Sequence, residues 1–316
     1  MEPLTGIAAL GIDWGTTQRR AYLLNANGMC VGEHTDAQGA LACKGRFPQA
    51  LGELLEQLAV KPQLIILSGM VGSALGWQEV PYVGGQVPLQ DLPRHLVPVT
   101  DAPDGVRCVI VPGYCVRNPQ GQADVMRGEE TQLLGAAVSG RHSGWFVLPG
   151  THSKWVKLDA GRVVALRTYM TGELFSLLTQ HGTLAAAAGT ASQIWSDEAF
   201  GEGVKAANPG DKPSAHHSAL SHQLFGCRAR VVCGDMAATH VHAYLSGLLI
   251  GNELRDVLSQ PHDAQDKSAF HLLGAPELVA HYQTAATLLG MRMDLLDSRA
   301  AYLAALAHIH TMALTP

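Results

Sequence analysis

The stretch GIDWGTTQRRAYLLNANG, residues 11–28, decides the fold of this chain. An apolar run ends at Asp13, a Gly-Thr-Thr bend follows, and a second apolar run leads to an Asn-Gly turn. This pattern predicts two strands joined by a tight polar hairpin. A similar stretch, WFVLPGTHSKWVKLDAGR, occupies residues 145–162. The two bends consist of Gly15, Thr16 and Thr17 in the first stretch and Gly150, Thr151 and His152 in the second.

Length and composition are typical of a soluble globular protein of two domains. The chain has 316 residues, of which 47% are hydrophobic and 16% are charged, and one domain commonly takes about 150 residues. The net charge of −5 and the lack of a basic run argue against a nucleic-acid partner. No segment has the roughly 20 apolar residues that span a bilayer, and no signal peptide is recognisable, so we expect no membrane contact. The six cysteines form no C-x-x-C pair, which favours free thiols and a cytoplasmic protein.

Each half of the chain shows three predicted strands followed by alternating helices and strands. In the first half the strands are 7–13, 19–24, 29–35, 64–73 and 107–113, and the helices are 46–60 and 128–140. In the second half the strands are 145–148, 154–158, 163–169, 270–275 and 291–297, and the helices are 172–184, 235–258, 276–290 and 300–314. Residues 192–221 are rich in Gly, Pro, Asn and His and are predicted to form a surface insertion.

This repetition predicts an α/β protein that arose by duplication, with two similar lobes and a cleft between them. The predicted boundary divides the chain into lobes 1–138 and 139–316, with the last helix packing back on the first lobe.

The two bends are suited to phosphate. A bend with Gly and hydroxyl residues turns several backbone N–H groups in one direction, and glycine leaves room for the anion. Two such bends could hold a triphosphate from both sides. Asp13 would then face the phosphates and bind Mg²⁺, usually through water. The alternative is that the bend only closes a hairpin and Asp13 caps it.

Neither the Walker pattern nor a strand-linked G-x-G-x-x-G is present. The paired bends and the duplicated halves instead resemble the superfamily of sugar kinases, actin and heat-shock ATPases, with actin-like (ribonuclease H-like) lobes. More narrowly, the chain resembles the 2-dehydro-3-deoxygalactonokinase family in blocks that follow one another along nearly its whole length. These blocks are MVGSALGW (70–77), PY (81–82), MRGEETQLLGA (126–136), LPGTHSKWVKL (148–158), MTGE (170–173) and LSGLLIGNE (245–253).

The resemblance implies an ATP- and Mg²⁺-dependent kinase that phosphorylates the C6 hydroxyl of 2-dehydro-3-deoxy-D-galactonate in galactonate breakdown. It places the sugar acid on the first lobe and adenosine on the second. Stereochemistry of the acid is not readable from first principles, and a homo-oligomer is compatible with the sequence. Two other functions stay open on the same fold, an ATPase or phosphohydrolase and a non-catalytic nucleotide-binding regulator.

A kinase of this type needs a carboxylate near the acceptor hydroxyl, because a primary alcohol is a poor nucleophile. By analogy with related sugar kinases, Glu129 is the expected base and Glu130 the second choice. The alternative is that both acids only offset the dipole of the helix that they open.

Other residues receive roles from position and from the resemblance. Lys154 and His152 flank Thr151 and could neutralise phosphate charge, although strand alternation could instead turn Lys154 to solvent. The carboxylate of the substrate needs an arginine, with Arg127, Arg20 and Arg19 as candidates. Arg127 could orient phosphate instead, and Arg19 is expected at the surface.

Further substrate contacts are expected from Ser73, Trp77, Gly172 and Glu173. The alternatives are that Trp77 belongs to the core and that Glu173 is only an acid at a helix start. In FHLLGAPEL, Gly274 and Ala275 resemble the strand-Gly-helix element that receives adenosine.

Overall fold

The computed structural model describes residues 6–103, 105–190, 192–207, 218–259 and 270–314. The strands, in chain order, are β1 Ile7–Trp14, β2 Arg19–Asn25, β3 Cys30–Asp36, β4 Leu64–Gly69, β5 Val83–Gly84, β6 Val97–Pro98, β7 Arg107–Ile110, β8 Tyr114–Arg117, β9 Ala123–Met126, β10 Gly144–Leu148, β11 Ser153–Asp159, β12 Arg162–Tyr169, β13 Phe270–Leu272 and β14 Met293–Leu295. The helices are α1 Phe47–Leu58, α2 Glu129–Val138, α3 Thr171–Gln180, α4 Gly182–Ala188, α5 Asp197–Ala207, α6 Leu220–Val232, α7 Val241–Ser259, α8 Pro276–Leu288 and α9 Ser298–Leu314.

The first sheet has β1 at its centre. Among the described residues its strand order is β3-β2-β1-β4-β7-β6. β1 pairs antiparallel with β2 and parallel with β4, so that Asp13 lies opposite Arg20 on one side and Ser68 on the other. Because parallel strands end at the same edge of a sheet, Asp13 and the end of β4 meet there.

The second sheet repeats the first. Its order, β12-β11-β10-β13-β14, matches the first five strands of the other sheet position by position. The predicted α/β class and the duplicated arrangement of strands are therefore confirmed. A small third sheet, β5-β8-β9, leads into Arg127 and α2.

The described residues form two compact units. The first takes its residues from Met1–Phe146, Trp155–Arg167 and Leu296–Pro316, and the second from Val147–Lys154 and Thr168–Leu295. The first unit has a core of β1, β2, β4, β7 and α1, with Trp14, Leu51 and Ile65 fully buried. In the second unit α5 and α7 are the main helical pair, with Phe200 and Leu248 buried.

The predicted surface insertion at 192–221 is wrong for part of its length. Residues 197–207 form α5, and Phe200, Val204 and Ala207 are buried in it. Those apolar residues pack on α7, a long-range contact that composition does not reveal. Residues 208–217 lie outside the described residues. In the described part of the chain, no helix has the length and apolar character that a bilayer crossing requires.

Candidate active site

The first hairpin, in the first unit, is a tight turn with an exposed tip. The Gly15 N–H donates to the Gln18 carbonyl at 3.0 Å, and Thr16 and Thr17 are exposed. The neighbouring chain holds this turn from behind, since the Ala40 N–H donates to the Gly15 carbonyl at 2.9 Å. A Cβ on Gly39 would lie 2.3 Å from the backbone of Thr17, so this close contact requires glycine. The hairpin is therefore a rigid element with two hydroxyls at its tip.

Asp13 lies at the base of this hairpin. Its Oδ2 is 3.3 Å from Nη1 of Arg20, whose side chain is half exposed. Burial raises the pKa of the Asp13 carboxyl, and the positive charge of Arg20 partly opposes that rise. A carboxylate with one arginine beside it and a burial penalty is suited to a further cation.

The ends of β1 and β4 and the start of α2 converge through two glycines. Gly69 and Gly128 both have positive φ, +87° and +106°, which favours glycine at each position. A Cβ on Gly128 would lie 3.2 Å from the Cα of Gly69, and a Cβ on Gly69 would lie 3.3 Å from Oδ1 of Asp13. The backbone at the start of α2 therefore packs against the end of β4, which itself adjoins Asp13, within one unit.

The two glutamates at the start of α2 differ in their surroundings. Glu129 is partly exposed, and its Oε2 accepts the Arg127 N–H at 3.0 Å. Glu130 is fully buried, and its Oε2 accepts the Gly128 N–H at 2.6 Å. Burial, followed by the charge of Glu129, raises the pKa of Glu130 to about 8. Glu129 is thus the carboxylate of this pair that a substrate can reach.

Arg127 lies next to this pair, with its guanidinium largely enclosed. Nη2 donates to the Val80 carbonyl at 2.6 Å, and the guanidinium lies 4.4 Å from the centre of the Tyr82 ring. Nε and Nη1 are buried and have no hydrogen-bond partner among the described residues. A Cβ on Gly72 would lie 2.8 Å from Nη1, so that glycine makes room for the side chain.

Two of the predicted substrate residues, Ser73 and Trp77, use their polar groups locally. Ser73 Oγ donates to the Met70 carbonyl at 2.8 Å. Trp77 stacks on Phe47 with ring centres 6.1 Å apart, and its Nε1 donates to Asp101 at 2.7 Å. Trp77 therefore packs at the edge of the core of the first unit.

Arg19 was expected at the surface, and that expectation is wrong. Its side chain is 3% exposed and forms a bidentate ion pair with Asp36, with Nε 3.3 Å from Oδ1 and Nη2 2.7 Å from Oδ2. It also donates to the Ala50 carbonyl at 2.8 Å and lies over the Trp14 ring. Paired in this way, the buried charge fastens β2 to β3 and α1.

The second hairpin, in the second unit, packs against the start of α3. The Glu173 N–H donates to the Thr151 carbonyl at 2.9 Å, and His152 Nε2 lies 2.5 Å from Oε2 of Glu173. A Cβ on Gly172 would lie 2.3 Å from the Gly150 carbonyl, so glycine permits this contact. Two residues given separate roles from sequence, His152 and Glu173, thus form one pair.

Lys154 lies just behind this hairpin and is 6% exposed. Its Nζ donates to Thr168 Oγ1 at 2.9 Å. The alternative that strand alternation turns Lys154 to solvent is therefore wrong, and its charge is held inside the second unit.

A cavity of about 450 Å³ opens beside the second hairpin in the same unit. Gly150, Gly172 and Ala275 line it, together with the ring pair of Trp195 and His281. These two rings are stacked, with centres 4.1 Å apart and an interplanar angle of 7°. Burial lowers the pKa of His281, which favours a neutral ring in this stack. The predicted Gly274 lies next to Ala275, and a Cβ on it would lie 3.3 Å from Val279 and 3.4 Å from Pro149.

Sequence reasoning missed Trp195, His281 and the buried Glu253 as parts of this region. Trp195 lies in the segment predicted as an insertion, and His281 shows no spacing that marks a ring stack. Glu253 ends the block LSGLLIGNE, which carried the family resemblance without a stated role.

Comparison with known proteins gives a consistent result. A model of the 2-keto-3-deoxy-galactonokinase family matches residues 13–309. The chain is 34% identical to 2-dehydro-3-deoxygalactonokinase of Escherichia coli K12, over 89% of this chain and 90% of that protein. It is 33% identical to a protein of Rhizobium meliloti strain 1021 named probable 2-dehydro-3-deoxygalactonokinase, over 94% of each.

Solved structures agree. A Sinorhizobium meliloti protein assigned as a 2-dehydro-3-deoxygalactonokinase superposes with a TM-score of 0.84 at 30% identity, over 98% of this chain and 97% of that one. Component A of the Acidaminococcus fermentans (R)-2-hydroxyglutaryl-CoA dehydratase shares the fold alone, with a TM-score of 0.50 at 12% identity, over 98% of this chain and 99% of that one.

Proposed function

The chain belongs to the 2-keto-3-deoxy-galactonokinase family, and we propose that it transfers the γ-phosphoryl group of ATP to the C6 hydroxyl of 2-dehydro-3-deoxy-D-galactonate. The observation that carries this proposal is the start of α2, where the partly exposed Glu129 directly follows Gly128, whose backbone packs on Gly69 at the end of β4 beside Asp13. The two relatives named as 2-dehydro-3-deoxygalactonokinases align over 89% and 94% of this chain. The similarity on which the proposed activity rests therefore covers both units.

Glu129 is the proposed catalytic base. It accepts the proton of the C6 hydroxyl as the oxygen attacks the γ-phosphorus, and the bond from phosphorus to the bridging oxygen of ADP breaks. Its hydrogen bond from the Arg127 N–H fixes the carboxylate. Glu130 suits this role less, because it is fully buried and its raised pKa of about 8 favours the neutral acid near pH 7.

The two hairpins are the proposed phosphate contacts. Thr16 and Thr17 supply hydroxyl and backbone N–H donors from the exposed tip, and Gly15, whose own N–H donates to the Gln18 carbonyl, forms the turn that presents them. Gly150, Thr151 and His152 supply a second set, with the buried cation of Lys154 behind them.

Mg²⁺ is the proposed cofactor, and Asp13 is the residue that fits it. A carboxylate oxygen is a ligand that Mg²⁺ accepts, and Mg²⁺ commonly takes one or two carboxylates with water and phosphate oxygens. Within the described residues no group of three His, Cys, Asp or Glu side chains is placed to hold a metal ion, which suits an ion held mainly by phosphate and water. The ion would offset phosphate charge.

The cavity of the second unit is the proposed adenosine site. Its volume of about 450 Å³ is in the usual range for such ligands. Ala275, directly after Gly274, lines one edge, and the stack of Trp195 and His281 offers a flat apolar wall to a purine.

Arg20 is the proposed contact to an anionic group of the substrates, because its guanidinium is half exposed. Arg127 acts on the sugar acid through the loop that carries Glu129. The loops around the acceptor substrate are proposed to be held in place by Ser73, Trp77, Gly172 and Glu173.

The cytoplasm is the proposed compartment, because all six cysteines are unpaired.

A coupled ADP-release assay with MgATP tests this function. It compares 2-dehydro-3-deoxygalactonate, 2-dehydro-3-deoxygluconate and no acceptor, for the wild type and for Glu129→Gln. We expect turnover only with the galactonate derivative, and a loss of about 10² or more in kcat for Glu129→Gln. Glu56→Gln, an exposed acid on α1, is the matched control and should keep full activity.

ADP release without any acceptor would favour the ATPase instead. Full activity of Glu129→Gln with a large loss in Glu130→Gln would transfer the base role to Glu130.

A further inference from the structure

One buried carboxylate lies beneath the second hairpin. Glu253, on α7, is 3% exposed. Its Oε1 accepts the Ser153 hydroxyl at 2.7 Å, and its Oε2 accepts the Tyr282 hydroxyl at 2.7 Å and the hydroxyl of Thr171. The hydroxyl oxygens of Tyr282 and Ser153 are 3.2 Å apart. A single side chain is thus bonded to three hydroxyls from three different elements.

Each of these hydroxyls belongs to a segment that borders the cavity. Ser153 directly follows His152 and begins β11, so its hydrogen bond holds one end of the hairpin. Thr171 begins α3, whose Gly172 packs on the Gly150 carbonyl. Tyr282 lies on α8, the helix that begins directly after Gly274 and Ala275. Glu253 therefore links the hairpin, the helix start beside it and the helix after the predicted adenosine turn.

The hydrogen bonds that Glu253 accepts are of a strong type. Hydrogen bonds to an ionised carboxylate are shorter and stronger than bonds between neutral groups. Burial and the charge of Glu253 both raise the pKa of Tyr282, so the phenol keeps its proton and donates it. A buried carboxylate that lost these donors would be left with a large desolvation cost.

We propose that Glu253 is a positioning residue for ATP, which orients the second hairpin and the start of α3 through Ser153 and Thr171 and joins them to α8 through Tyr282. The inference rests on the proposed function in one respect, that this hairpin binds ATP phosphates. A site of this kind loses binding when its donors move by fractions of an ångström. In this role Glu253 acts on the nucleotide through the three hydroxyls that it accepts.

The test removes two of the three hydroxyls, one at a time, and separately replaces the carboxylate by Glu253→Gln, in the whole chain. Thr171→Val and Tyr282→Phe keep the shape of each side chain, and Thr171→Ser keeps the hydroxyl. The KM values for ATP and for the sugar acid are measured, together with the Kd of MgADP by calorimetry, which does not depend on turnover. Thermal unfolding of each variant reports its stability.

We expect Thr171→Val, Tyr282→Phe and Glu253→Gln to raise the KM for ATP and the Kd of MgADP by about tenfold or more. The KM for the sugar acid should stay within about twofold of the wild-type value, and Thr171→Ser should restore nucleotide affinity. Asp256→Asn is the matched control, because Asp256 also accepts a tyrosine hydroxyl, that of Tyr169, at 2.7 Å on the same helix. It should leave the KM for ATP unchanged.

A lower unfolding temperature with unchanged affinity for ATP and MgADP would show that the cluster is merely structural, and the inference would be wrong. Gly150→Ala separates this failure from that of the proposed function, because the new Cβ would meet nothing closer than 3.9 Å and the chain should fold. If Gly150→Ala weakens ATP binding and the Glu253 cluster variants do not, only the positioning role fails. If none of these variants affects ATP, the second hairpin is not a phosphate site and both proposals fail.

Discussion

Glu129 and Glu130 show how two adjacent carboxylates can differ in function. The helix start turns Glu130 into the core, where no part of it is exposed, and leaves Glu129 partly exposed. The buried carboxyl then has a pKa raised to about 8 by desolvation and by the charge of its neighbour. Because Glu130 is then neutral near pH 7, no second negative charge lies beside the carboxylate of Glu129.

This arrangement predicts a pH-dependent stability. The pKa of Glu130 rises from 4.5 to about 8 on folding, so between these values the native state holds a proton that the unfolded chain has released. The stabilisation from this group is fully present below pH 4.5 and is lost as pH rises through about 8. Glu130→Gln, which cannot ionise, should flatten that part of the profile and be more stable than the wild type above about pH 8, by roughly a few kcal/mol.

Urea unfolding at about pH 5 and about pH 8.5 measures this effect for both proteins. The same fall in the free energy of unfolding in Glu130→Gln as in the wild type would contradict the prediction. Glu56→Gln serves again as an exposed control, with no change in slope expected.

At the scale of elements, the block LSGLLIGNE is explained by the crossing of α5 and α7. Gly247 and Gly251 lie four residues apart and so share one face of α7. A Cβ on Gly247 would lie 2.0 Å from the Phe200 carbonyl, and a Cβ on Gly251 would lie 2.8 Å from the Cβ of Ala207. The same helix carries Glu253, so this close crossing places the carboxylate beneath the hairpin.

Gly247→Ala should therefore destabilise the second unit. The added methyl meets backbone, which cannot move aside, and overpacking of this kind costs about 1–3 kcal/mol. Gly226→Ala on α6 is the matched control, because its Cβ would meet nothing within 4 Å and alanine favours helix by about 1 kcal/mol. Chemical unfolding of both variants measures the difference, and equal stability of the two would contradict the crossing as described.

The elements predicted from sequence were those with strong local patterns. The three opening strands of each half and the helices after them follow from apolar periodicity and turn residues. The partners of buried charges did not follow, since Arg19 depends on Asp36 and Lys154 on Thr168, contacts set by strand register and long-range packing. Helix α5 was missed for the same reason. Its sequence is rich in polar residues and glycine, and its buried residues are stabilised by packing on α7.

The candidate site was predicted unevenly for a similar reason. Both hairpins and the acids of α2 were visible as short motifs with a chemical purpose. Glu253, Trp195 and His281 come together only in the fold, from α7, α8 and the chain before α5. A motif reports what one segment can do, whereas a cavity wall depends on several segments at once.

At the scale of the whole molecule, helix α9 is far from β1 and α2 in sequence but packs with them in the first unit. α9 belongs to that unit and packs directly on α2, where a Cβ on Gly135 would lie 1.6 Å from the Ala301 carbonyl. The Tyr302 hydroxyl lies 2.7 Å from Ser68 Oγ, on the strand beside Asp13. Leu306 is fully buried and contacts Gly11 of β1, the central strand.

Removal of α9 should therefore prevent the first unit from folding. A chain ending at residue 296 would expose the faces of β1 and α2 on which α9 packs and would lose the fully buried Leu306 and Ile309. Each such side chain contributes about 1.5–3 kcal/mol when buried. Several of them together rival the roughly 5–15 kcal/mol that stabilises a domain. Tyr302→Phe, which loses only one buried hydrogen bond, should still unfold cooperatively and lose about 1 kcal/mol.

Thermal and urea unfolding, followed by circular dichroism and by tryptophan fluorescence, measures both changes. Trp14 and Trp77 lie in the first unit, so their emission should already be that of exposed indoles in the truncated chain. A truncated chain that unfolds cooperatively with a wild-type midpoint would contradict this account. The two variants also separate the effect of apolar burial from that of one hydrogen bond. If Tyr302→Phe alone abolished folding, the hydrogen bond between Tyr302 and Ser68 would be the main source of stability for the strand that carries Asp13. The apolar face of α9 would then be the lesser contribution.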